Sequence, residues 1–323
     1  MSIYLSIILP VHNEAEVIAE THRRVQAVCE AVGQPYEILV VNDGSTDGTW
    51  DLLRGLAQRD PHLVAVDLSR NHGHQLALTA GLAQARGERV LIMDADLQDP
   101  PELLPDLMRA LDDGADVAYA QRRTRLGDAP LKRFFCAVFY RGLARIADVP
   151  VQLDSGDFRL LSRRVVDALG RMPERHRFLR GMISWLGYRQ VPVFYDRGAR
   201  HAGESKYPFR KLVKLALDAV VSSSLRPLSF ALVVGGLTGL IGVALLGYAL
   251  FSWLFVGQTP AGWTSLLIAI VLMGSLQLLM LGILGEYLGR IYIQTRGRPI
   301  YLVNQVVGGE HAAAPLDSRP SAP

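Results

Sequence analysis

The chain has 323 residues and a formal net charge of +3, and half of its residues are hydrophobic. A mean hydropathy of +0.19 excludes an ordinary soluble enzyme, while the length allows one sizeable domain plus a smaller unit. Two basic zones, at positions 122–145 and 197–214, match no nucleic-acid-binding motif, so no nucleic acid partner is expected. The hydrophobic excess lies at positions 227–285, where no charged side chain occurs. Membrane-embedded segments are therefore expected in the second half of the chain.

The first two hundred residues alternate short apolar runs with helical patterns. Strands that are apolar on both faces and separated by helices indicate a mostly parallel sheet with right-handed crossovers. The predicted fold class is therefore α/β, with a Rossmann-like domain over residues 1–205. The patterns predict strands at Leu5–Pro10, Glu37–Val41, Leu63–Asp67 and Arg89–Met93, and helices between them at Glu14–Ala31, Thr46–Gln58 and His74–Ala85. Further strands are predicted at Ala115–Gln121 and Arg189–Tyr195.

Polar residues follow four of the predicted strands at the point where each strand ends. Ligands of open α/β sheets bind beyond the carboxyl ends of the strands, so these residues are expected to converge on one active site. They are Asn13-Glu14, Asp43-Gly44-Ser45, Asn71-His72-Gly73 and Asp94-Ala95-Asp96.

Asp94 and Asp96 form the strongest chemical signal in the chain. They lie two residues apart directly after a buried strand, and at that spacing strand side chains point the same way. Two neighbouring carboxylates need neutralising, and oxygen ligands suit Mg²⁺ or Mn²⁺, which also bind the phosphates of a nucleotide. The sequence therefore predicts a divalent cation at this pair.

Other strand ends leave more than one interpretation open. Asp43 could accept hydrogen bonds from a base or ribose while Gly44 allows close backbone approach, but the same residues are also ideal turn chemistry. Residues 70–75 lead into a helix N-terminus that could receive phosphate or another anion, whereas His72 could equally be an ordinary loop residue. Glu14 could be only a first-turn helix acid.

The second part of the chain is predicted to meet the membrane. Residues 206–226 have the pattern of an amphipathic interface helix, and residues 227–290 of a transmembrane hairpin with spans at about 227–256 and 263–287. No signal peptide pattern precedes the first strand, and basic residues flank the hairpin, so the catalytic domain and both termini are expected in the cytoplasm. Residues 291–323 are expected to be a tail that is disordered after about residue 307.

Several motifs together resemble those of family 2 glycosyltransferases of the GT-A fold. They are Ile7–Glu14, Val41–Asp47 and Met93–Glu102. The resemblance narrows to the polyprenyl-phosphate glycosyltransferases, such as dolichyl-phosphate mannose synthases and, more closely, bacterial bactoprenol glucosyltransferases. That narrowing depends on the two expected spans and on Leu68–His74, Asp154–Arg159 and Arg200–Tyr207.

The resemblance implies roles for individual residues. The nucleotide-sugar donor would be held by Pro10, His12, Glu14, Asp43, Gly73, Asp94, Arg200 and Lys206. The metal and the diphosphate would be surrounded by Asp94, Asp96 and Gln98, and the acceptor phosphate would be met by Arg122, Arg133 and Ser205. His12 stands where many relatives have Tyr, and Arg122 and Arg133 could instead be surface charges or contacts to lipid head groups.

The implied reaction sets what the catalytic residues must do. A glycosyl donor needs its leaving diphosphate neutralised, which a divalent ion on Asp96 and basic residues can provide. A lipid phosphate is already ionised near neutral pH, so it can attack the anomeric carbon without a strong general base. Asp157 is the candidate that orients this nucleophile, although it could also be a turn or helix-cap acid.

The combined expectation is a multi-pass enzyme of the bacterial inner membrane that transfers a hexose with inversion, using Mg²⁺ or Mn²⁺. UDP-glucose is the expected donor and undecaprenyl phosphate the acceptor; GDP-mannose, UDP-N-acetylhexosamine and UDP-aminoarabinose are alternative donors. A membrane scaffold with a degenerate transferase domain is the non-enzymatic alternative. A processive polysaccharide synthase is disfavoured, because the chain has no Gln-x-x-Arg-Trp motif. Small residues in the first span would allow packing in a homodimer or tetramer.

Overall fold

The computed structural model describes residues 2–122, 155–195, 226–251, 254–255 and 262–309. The chain divides into two compact units. The first contains Met1–Ala144, Val149–Tyr207 and Arg298–Pro323, and the second contains Arg145–Asp148 and Pro208–Gly297. Residues from both ends of the chain therefore belong to the first unit.

The first unit is an α/β domain. Its elements, in chain order, are β1 (Leu5–Val11), α1 (Ile18–Val32), β2 (Tyr36–Asn42), α2 (Thr49–Ala57), β3 (Leu63–Leu68), α3 (His74–Gln84), β4 (Arg89–Ile92), a 3₁₀ turn (Pro101–Leu103), α4 (Leu104–Asp112), β5 (Val117–Arg122), β6 (Ser155–Ser162), α5 (Arg163–Arg171), α6 (Leu179–Trp185), β7 (Gln190–Tyr195) and β8 (Val303–Val307).

The strands form one mixed sheet in the order β7-β5-β6-β4-β1-β2-β3-β8. The β1–β2, β1–β4, β2–β3 and β5–β7 pairs are parallel, which confirms the predicted mostly parallel sheet. Strand β6 runs antiparallel to both β4 and β5, and β8 runs antiparallel to β3. The apolar runs predicted the parallel strands, but they predicted neither β6, which lies between β5 and β4, nor the edge strand β8.

Both faces of the central strands are buried, because helices cover the sheet on each side. Along β1, Leu5, Ile7 and Leu9 pack with α1, α2 and α4, whereas Ile8 packs on the other face with α3, α5 and α6. Helix α3 lies very close to the sheet at Gly81, where an added Cβ would lie 2.4 Å from the Ile8 side chain. This two-sided burial explains why the β1 to β4 sequences read as continuous apolar runs.

Residues 303–307 differ from the expected tail. They form β8, which pairs with β3 in a register that joins Ala65 to Val307 and Leu68 to Val303. A strand here adds main-chain hydrogen bonds to an otherwise open sheet edge. Residues 310–323, also assigned to the tail, lie outside the described part of the chain.

Two polar residues that precede helices bind distant segments and do not cap those helices. Helix α1 begins at Ile18, and Asn13, with a left-handed φ of 57°, instead accepts a hydrogen bond from the Thr46 amide at 2.8 Å. Asp99 is buried and accepts a hydrogen bond from the Tyr195 hydroxyl at 2.6 Å. Both side chains satisfy polar groups on distant segments, which local capping patterns do not reveal.

The second unit contains two long apolar helices, α7 (Arg226–Phe251) and α8 (Trp263–Thr295). By length and composition alone, the stretch Leu272–Thr295 could cross a membrane, and Val233–Leu245 is a shorter apolar stretch. The expected pair of spans therefore stays a prediction. The expected amphipathic helix before residue 226 lies outside the described residues.

A buried polar cluster fixes the end of the sheet opposite the strand exits. Glu37 of β2, only 2% exposed, accepts hydrogen bonds from the Ser6 hydroxyl at 2.7 Å and from the Arg86 amide at 2.8 Å. The Arg86 guanidinium also donates to Glu37 at 3.0 Å, and the Gly87 amide donates to the Ser6 hydroxyl at 2.8 Å. One carboxylate thus joins β1, β2 and the α3–β4 connection.

Replacing Glu37 with alanine is expected to lower the free energy of unfolding by about 3 kcal/mol, since it removes the acceptor of several buried donors. The midpoint of thermal unfolding of the purified chain measures this loss. The exposed neighbour Glu88 gives a matched control, and Glu88→Ala is expected to change stability by less than about 0.5 kcal/mol. Equal midpoint shifts in the two variants would contradict the role assigned to the cluster.

Candidate active site

The ends of β1, β2 and β3 meet, as the parallel sheet requires. The Asn13 amide donates to the Ser45 hydroxyl at 2.9 Å, and His12 Nδ1 lies 2.9 Å from the Asp43 carbonyl oxygen. The Glu14 amide donates to the Thr49 hydroxyl at 3.0 Å. These contacts bring together three of the predicted donor-binding residues on neighbouring strand exits.

Asp43 holds the turn that leads into α3. Its two carboxylate oxygens accept hydrogen bonds from the His72 amide at 2.6 Å and the Gly73 amide at 2.9 Å. The anion at the N-terminal end of α3 is thus the buried carboxylate of Asp43. A carboxylate has about four acceptor positions, so Asp43 keeps capacity for a further donor.

Gly44 allows this turn to pack against the strand exit. It has a left-handed φ of 61°, and an added Cβ would lie 2.4 Å from the carbonyl carbon of Arg70 and from the amide nitrogen of Asn71. Those neighbours are backbone atoms that cannot rotate away. Gly44 is therefore required both by its left-handed φ and by the lack of room for a Cβ atom. The turn sequence alone predicted only the first reason.

The Asp94 carboxyl lies in a crowd of acids just after β4. Burial, together with the neighbouring charges of Asp157, Asp99 and Asp96, raises the pKa of Asp94 to about 6, although His74 acts in the opposite direction. Asp94 lies 3.6 Å from the His74 imidazole. Asp94 therefore keeps its proton to a higher pH than an ordinary aspartate, and it is mostly ionised only above about pH 6.

Asp96 lies close to Glu14, which follows the exit of β1. The Asp96 carboxylate accepts a hydrogen bond from the backbone amide of Gln98 at 3.1 Å. Burial, followed by the negative charges of Asp96 and Asp47, raises the pKa of Glu14. Asp96 and Glu14 are thus close enough to repel each other, and a cation would relieve this repulsion.

Strand β6 brings Asp157 opposite Asp94. In the antiparallel β4–β6 register Ile92 pairs with Arg159, and continuing that register by two residues sets Asp94 against Asp157. The structure therefore brings together two acids that are 63 residues apart in sequence, as 157 minus 94. Nothing in the apolar patterns predicted this contact, because β6 itself was not predicted.

Three side chains from two helices hold the Asp157 carboxylate. His74 lies at 3.2 Å, Gln75 donates at 3.1 Å, and Arg180 donates at 3.2 Å. Burial by itself would raise the pKa of Asp157, but the His74 hydrogen bond and the charges of Arg180 and Arg159 hold it well below its ordinary value. Asp157 is therefore ionised throughout the physiological range.

Gln75 and Arg180 are site residues that the sequence patterns did not indicate. The side-chain oxygen Oε1 of Gln75 accepts a hydrogen bond from the Leu179 backbone amide at 2.9 Å, so Gln75 fixes the start of α6 while it holds Asp157. Arg159 is fully buried next to this group and donates to the Gly156 carbonyl at 2.9 Å. Gln75, Arg159 and Arg180 lie far apart in sequence, and the only clues to this group were residues 70–75 and the motif Asp154–Arg159.

The residues present suit a divalent cation bound together with phosphates. Among the described residues, no group of three or more His, Cys, Asp or Glu side chains is placed to hold a metal by itself. Mg²⁺ in nucleotide sites is commonly bound by one or two carboxylates, with phosphates and water completing the shell. The Asp94–Asp96 pair matches that pattern.

Several predicted site residues lie outside the described part of the chain. These are Arg133, Arg200, Ser205 and Lys206. Arg122 ends β5, but its side chain is also outside the described part. Pro10 lies in β1, two residues before His12.

Comparison with known proteins identifies the family. Residues 6–170 match the sequence pattern described as glycosyl transferase family 2. A Bacillus subtilis protein, uncharacterized glycosyltransferase YkcC, is 41% identical over 309 residues, which cover 96% of each chain. The chain belongs to glycosyl transferase family 2. It is therefore a glycosyltransferase with a GT-A-like, mostly parallel sheet, and the non-enzymatic scaffold is set aside.

Other family 2 relatives carry more specific names. The prophage bactoprenol glucosyl transferase homolog of Escherichia coli K12 is 37% identical over 302 residues, covering 94% of this chain and 99% of that protein. The bactoprenol glucosyl transferase of Shigella phage SfII is 38% identical over 301 residues, covering 93% of this chain and 97% of that protein. These similarities confirm the resemblance that the motifs predicted.

Gly44→Ala is expected to weaken UDP binding by roughly tenfold or more, because the added Cβ pushes the 70–71 backbone away from Asp43. Titration calorimetry with UDP measures the change. Gly33→Ala is the matched control, since Gly33 has a similar left-handed φ of 68° but open space around it. If both substitutions weaken binding equally, strain in the glycine itself and not the displaced turn is responsible.

Proposed function

We propose that this glycosyltransferase transfers a hexose from a nucleotide sugar, with UDP-glucose as the donor, to a polyprenyl phosphate such as undecaprenyl phosphate. The observation that carries the proposal is the near full-length similarity to a protein named as a bactoprenol glucosyl transferase homolog. The acidic strand exits and the ionised Asp157 in the same domain support it.

The donor half of the site is assigned to the exits of β1 and β2. His12, Glu14 and Asp43 would hold the nucleoside, because these polar groups converge there and Asp43 keeps unused acceptor capacity. The Gly73 amide fixes the direction of the Asp43 carboxylate. Arg200 and Lys206 remain assigned to the donor by resemblance alone.

Asp94 and Asp96 would hold Mg²⁺ or Mn²⁺ with the help of Gln98. The bound ion would supply positive charge to the leaving diphosphate. Because Asp94 is crowded by acids, its carboxylate is available for such a partner at little cost in lost protein contacts. Among the described residues, the His74 imidazole lies 3.6 Å from the Asp94 carboxylate and can supply positive charge there.

Asp157 would orient the acceptor phosphate by fixing the cationic side chains around it. Burial by itself would lower the pKa of His74, but the Asp157 hydrogen bond and the Asp94 charge raise it, which favours the imidazolium form. His74 and Arg180 thus place positive charge next to the Asp157 carboxylate. Arg122, Arg133 and Ser205 are proposed to complete the acceptor side.

The apolar helices of the second unit suit a lipid acceptor. Leu240 and Leu278, for example, are 68% and 71% exposed, as expected of side chains that face lipid tails. We propose two spans, with the catalytic domain and both termini in the cytoplasm. Attachment to the bilayer would confine enzyme and acceptor to the same surface and raise their effective concentration. A homodimer or tetramer through the small residues of the first span is part of the proposal.

A donor panel tests the reaction. With short-chain polyprenyl phosphate, radiolabel from UDP-glucose is expected to enter the lipid phase, and GDP-mannose, UDP-N-acetylhexosamine and UDP-aminoarabinose are expected to give little. A chelator should abolish transfer, and Asp96→Ala should reduce it by about a hundredfold or more. Asp106→Ala, an exposed acid on α4, is the matched control.

The proposed reaction is wrong if no donor labels the polyprenyl phosphate. The proposed cation is wrong if transfer is unchanged in chelator and in the double variant Asp94→Ala with Asp96→Ala. These two outcomes are independent, since a metal-free transferase would still label the lipid.

The pH dependence of cation binding follows from the raised pKa of Asp94. Below about 6 the cation must displace a proton, so Mn²⁺ affinity is expected to fall by about tenfold per pH unit there and to level off above that pH. Asp94→Asn should weaken Mn²⁺ binding and remove this slope, as electron paramagnetic resonance of Mn²⁺ would measure. A wild-type affinity that is constant from pH 5 to about 7 would contradict the assignment.

The stability of the cation-free fold depends on pH in the opposite direction from the Mn²⁺ affinity. The folded chain holds the Asp94 proton up to about 6, whereas the unfolded chain releases it near 3.8. Between those values the folded state binds more protons, so this group stabilises the fold at low pH and the contribution is lost as the pH rises. A bound cation reverses the trend by favouring the ionised carboxylate.

A further inference from the structure

We infer that residues 300–304, which follow the second unit, hold the donor-binding turn in place. In this segment, Asn304 of β8 is a positioning residue for the turn. The inference rests on the proposed function, because it concerns how the nucleotide-binding turn at residues 69–73 is held. It assigns a role to residues that the sequence patterns placed in a tail.

Asn304 ties β8 to the ends of β3 and β2. Its side-chain amide donates to Asp67 Oδ2 at 2.8 Å, and the Asn42 side-chain amide donates to Asp67 Oδ1 at 2.7 Å. Asp67 is buried, at 8% exposed, so each of these hydrogen bonds compensates a desolvated carboxylate. Asn42 is followed directly by Asp43, which places this chain of contacts one residue from the predicted nucleoside ligand.

The same segment touches the turn at two further points. The Ser69 amide donates to the Leu302 carbonyl at 2.9 Å. The Ile300 backbone lies close enough to the His72 imidazole to act against the burial that lowers the pKa of His72. Residues 300–304 therefore contact the beginning of the turn, its central histidine and the strand that leads into it.

Asp43 binds the opposite side of this turn through the His72 and Gly73 amides. The turn is thus held between Asp43 on one side and the 300–304 segment on the other. If the segment shifts, the two amides that orient the Asp43 carboxylate shift with it. The expected consequence is weaker nucleotide binding without loss of the acceptor-side groups around Asp157.

The amide of Asn304 and the carboxylate of Asp67 can be exchanged between the two positions by substitution. Asn304→Asp sets two carboxylates against each other at hydrogen-bond distance and should displace the segment. Adding Asp67→Asn restores a donor and an acceptor, because the new amide can accept from Asn42 with its oxygen and donate to the new carboxylate with its nitrogen. The double variant is therefore expected to recover what the single variant loses.

Two measurements on the full-length chain in lipid nanodiscs test the inference. In the single variant Asn304→Asp, the KM for the nucleotide sugar and the Kd for UDP should rise about tenfold, as for loss of a hydrogen bond to a charged group. The kcat and the KM for polyprenyl phosphate should change less than about twofold. Hydrogen exchange at residues 69–73 should become faster, and both effects should reverse in the double variant.

Gln58→Glu is the matched control, since it adds the same charge at an exposed position outside the 300–304 segment. It should leave the UDP affinity and the exchange at residues 69–73 unchanged. Asn304→Ala provides a milder variant that should change both quantities in the same direction, by less.

The inference is overturned if Asn304→Asp leaves exchange and UDP affinity as in the wild type, or if the double variant does not recover. It is also overturned if kcat and both KM values change together, which would indicate general destabilisation. Should the wild type transfer no hexose to polyprenyl phosphate, the proposed function fails, yet the exchange and UDP comparisons still decide the role of Asn304.

Discussion

The crowding of carboxylates at one edge of the sheet is the constraint on which the rest of the site depends. Glu14, Asp94, Asp96 and Asp157 all lie at or beside strand exits, and burial, together with repulsion from neighbouring acids, raises the pKa values of Glu14 and Asp94. Such an arrangement costs folding free energy unless positive charge is supplied. Among the described residues, His74, Arg159 and Arg180 supply part of it, and we propose that a bound cation supplies the remainder.

Two acids in this crowd have opposite pKa shifts because their partners differ. Asp157 is held by His74, Gln75 and Arg180, and these contacts outweigh the effect of burial. Asp94 has His74 at a longer distance and three acidic neighbours, so burial prevails. One group is therefore already neutralised by protein, while the other is suited to bind something added. Asp157 on β6 is therefore the structural anion, whereas Asp94, which follows the neighbouring strand β4, is the candidate ligand site.

Sequence patterns predicted the parts of this arrangement that depend on local order. The apolar runs of β1 to β4 are buried on both faces, and parallel pairing then brings the residues after each strand to one edge. That is why the nearness of Asn13, Asp43 and residue 72 could be predicted from residues far apart in the chain. The Asp94–Asp96 pair was visible for the same reason.

The remaining contacts depend on topology that no local pattern encodes. Insertion of β6 between β4 and β5 is what sets Asp157 against Asp94, and β8 reaches β3 only after the whole second unit. Asn304, Gln75 and Arg180 are ordinary polar residues in their own segments. Their roles come from partners at long sequence separation, so only the three-dimensional structure identifies them.

The electrostatics of Asp157 also bear on the class of acceptor. A general base works best when its pKa lies near the working pH, and Asp157 is held far below that range. A sugar hydroxyl must lose a proton during attack, and this carboxylate would be a weak base for that task. A phosphate oxygen has no such proton to lose at neutral pH, and it needs positive charge to enter a crowd of acids. His74 and Arg180, fixed by Asp157, supply that charge, so an ionised positioning acid is better matched to a phosphate acceptor than to a hydroxyl.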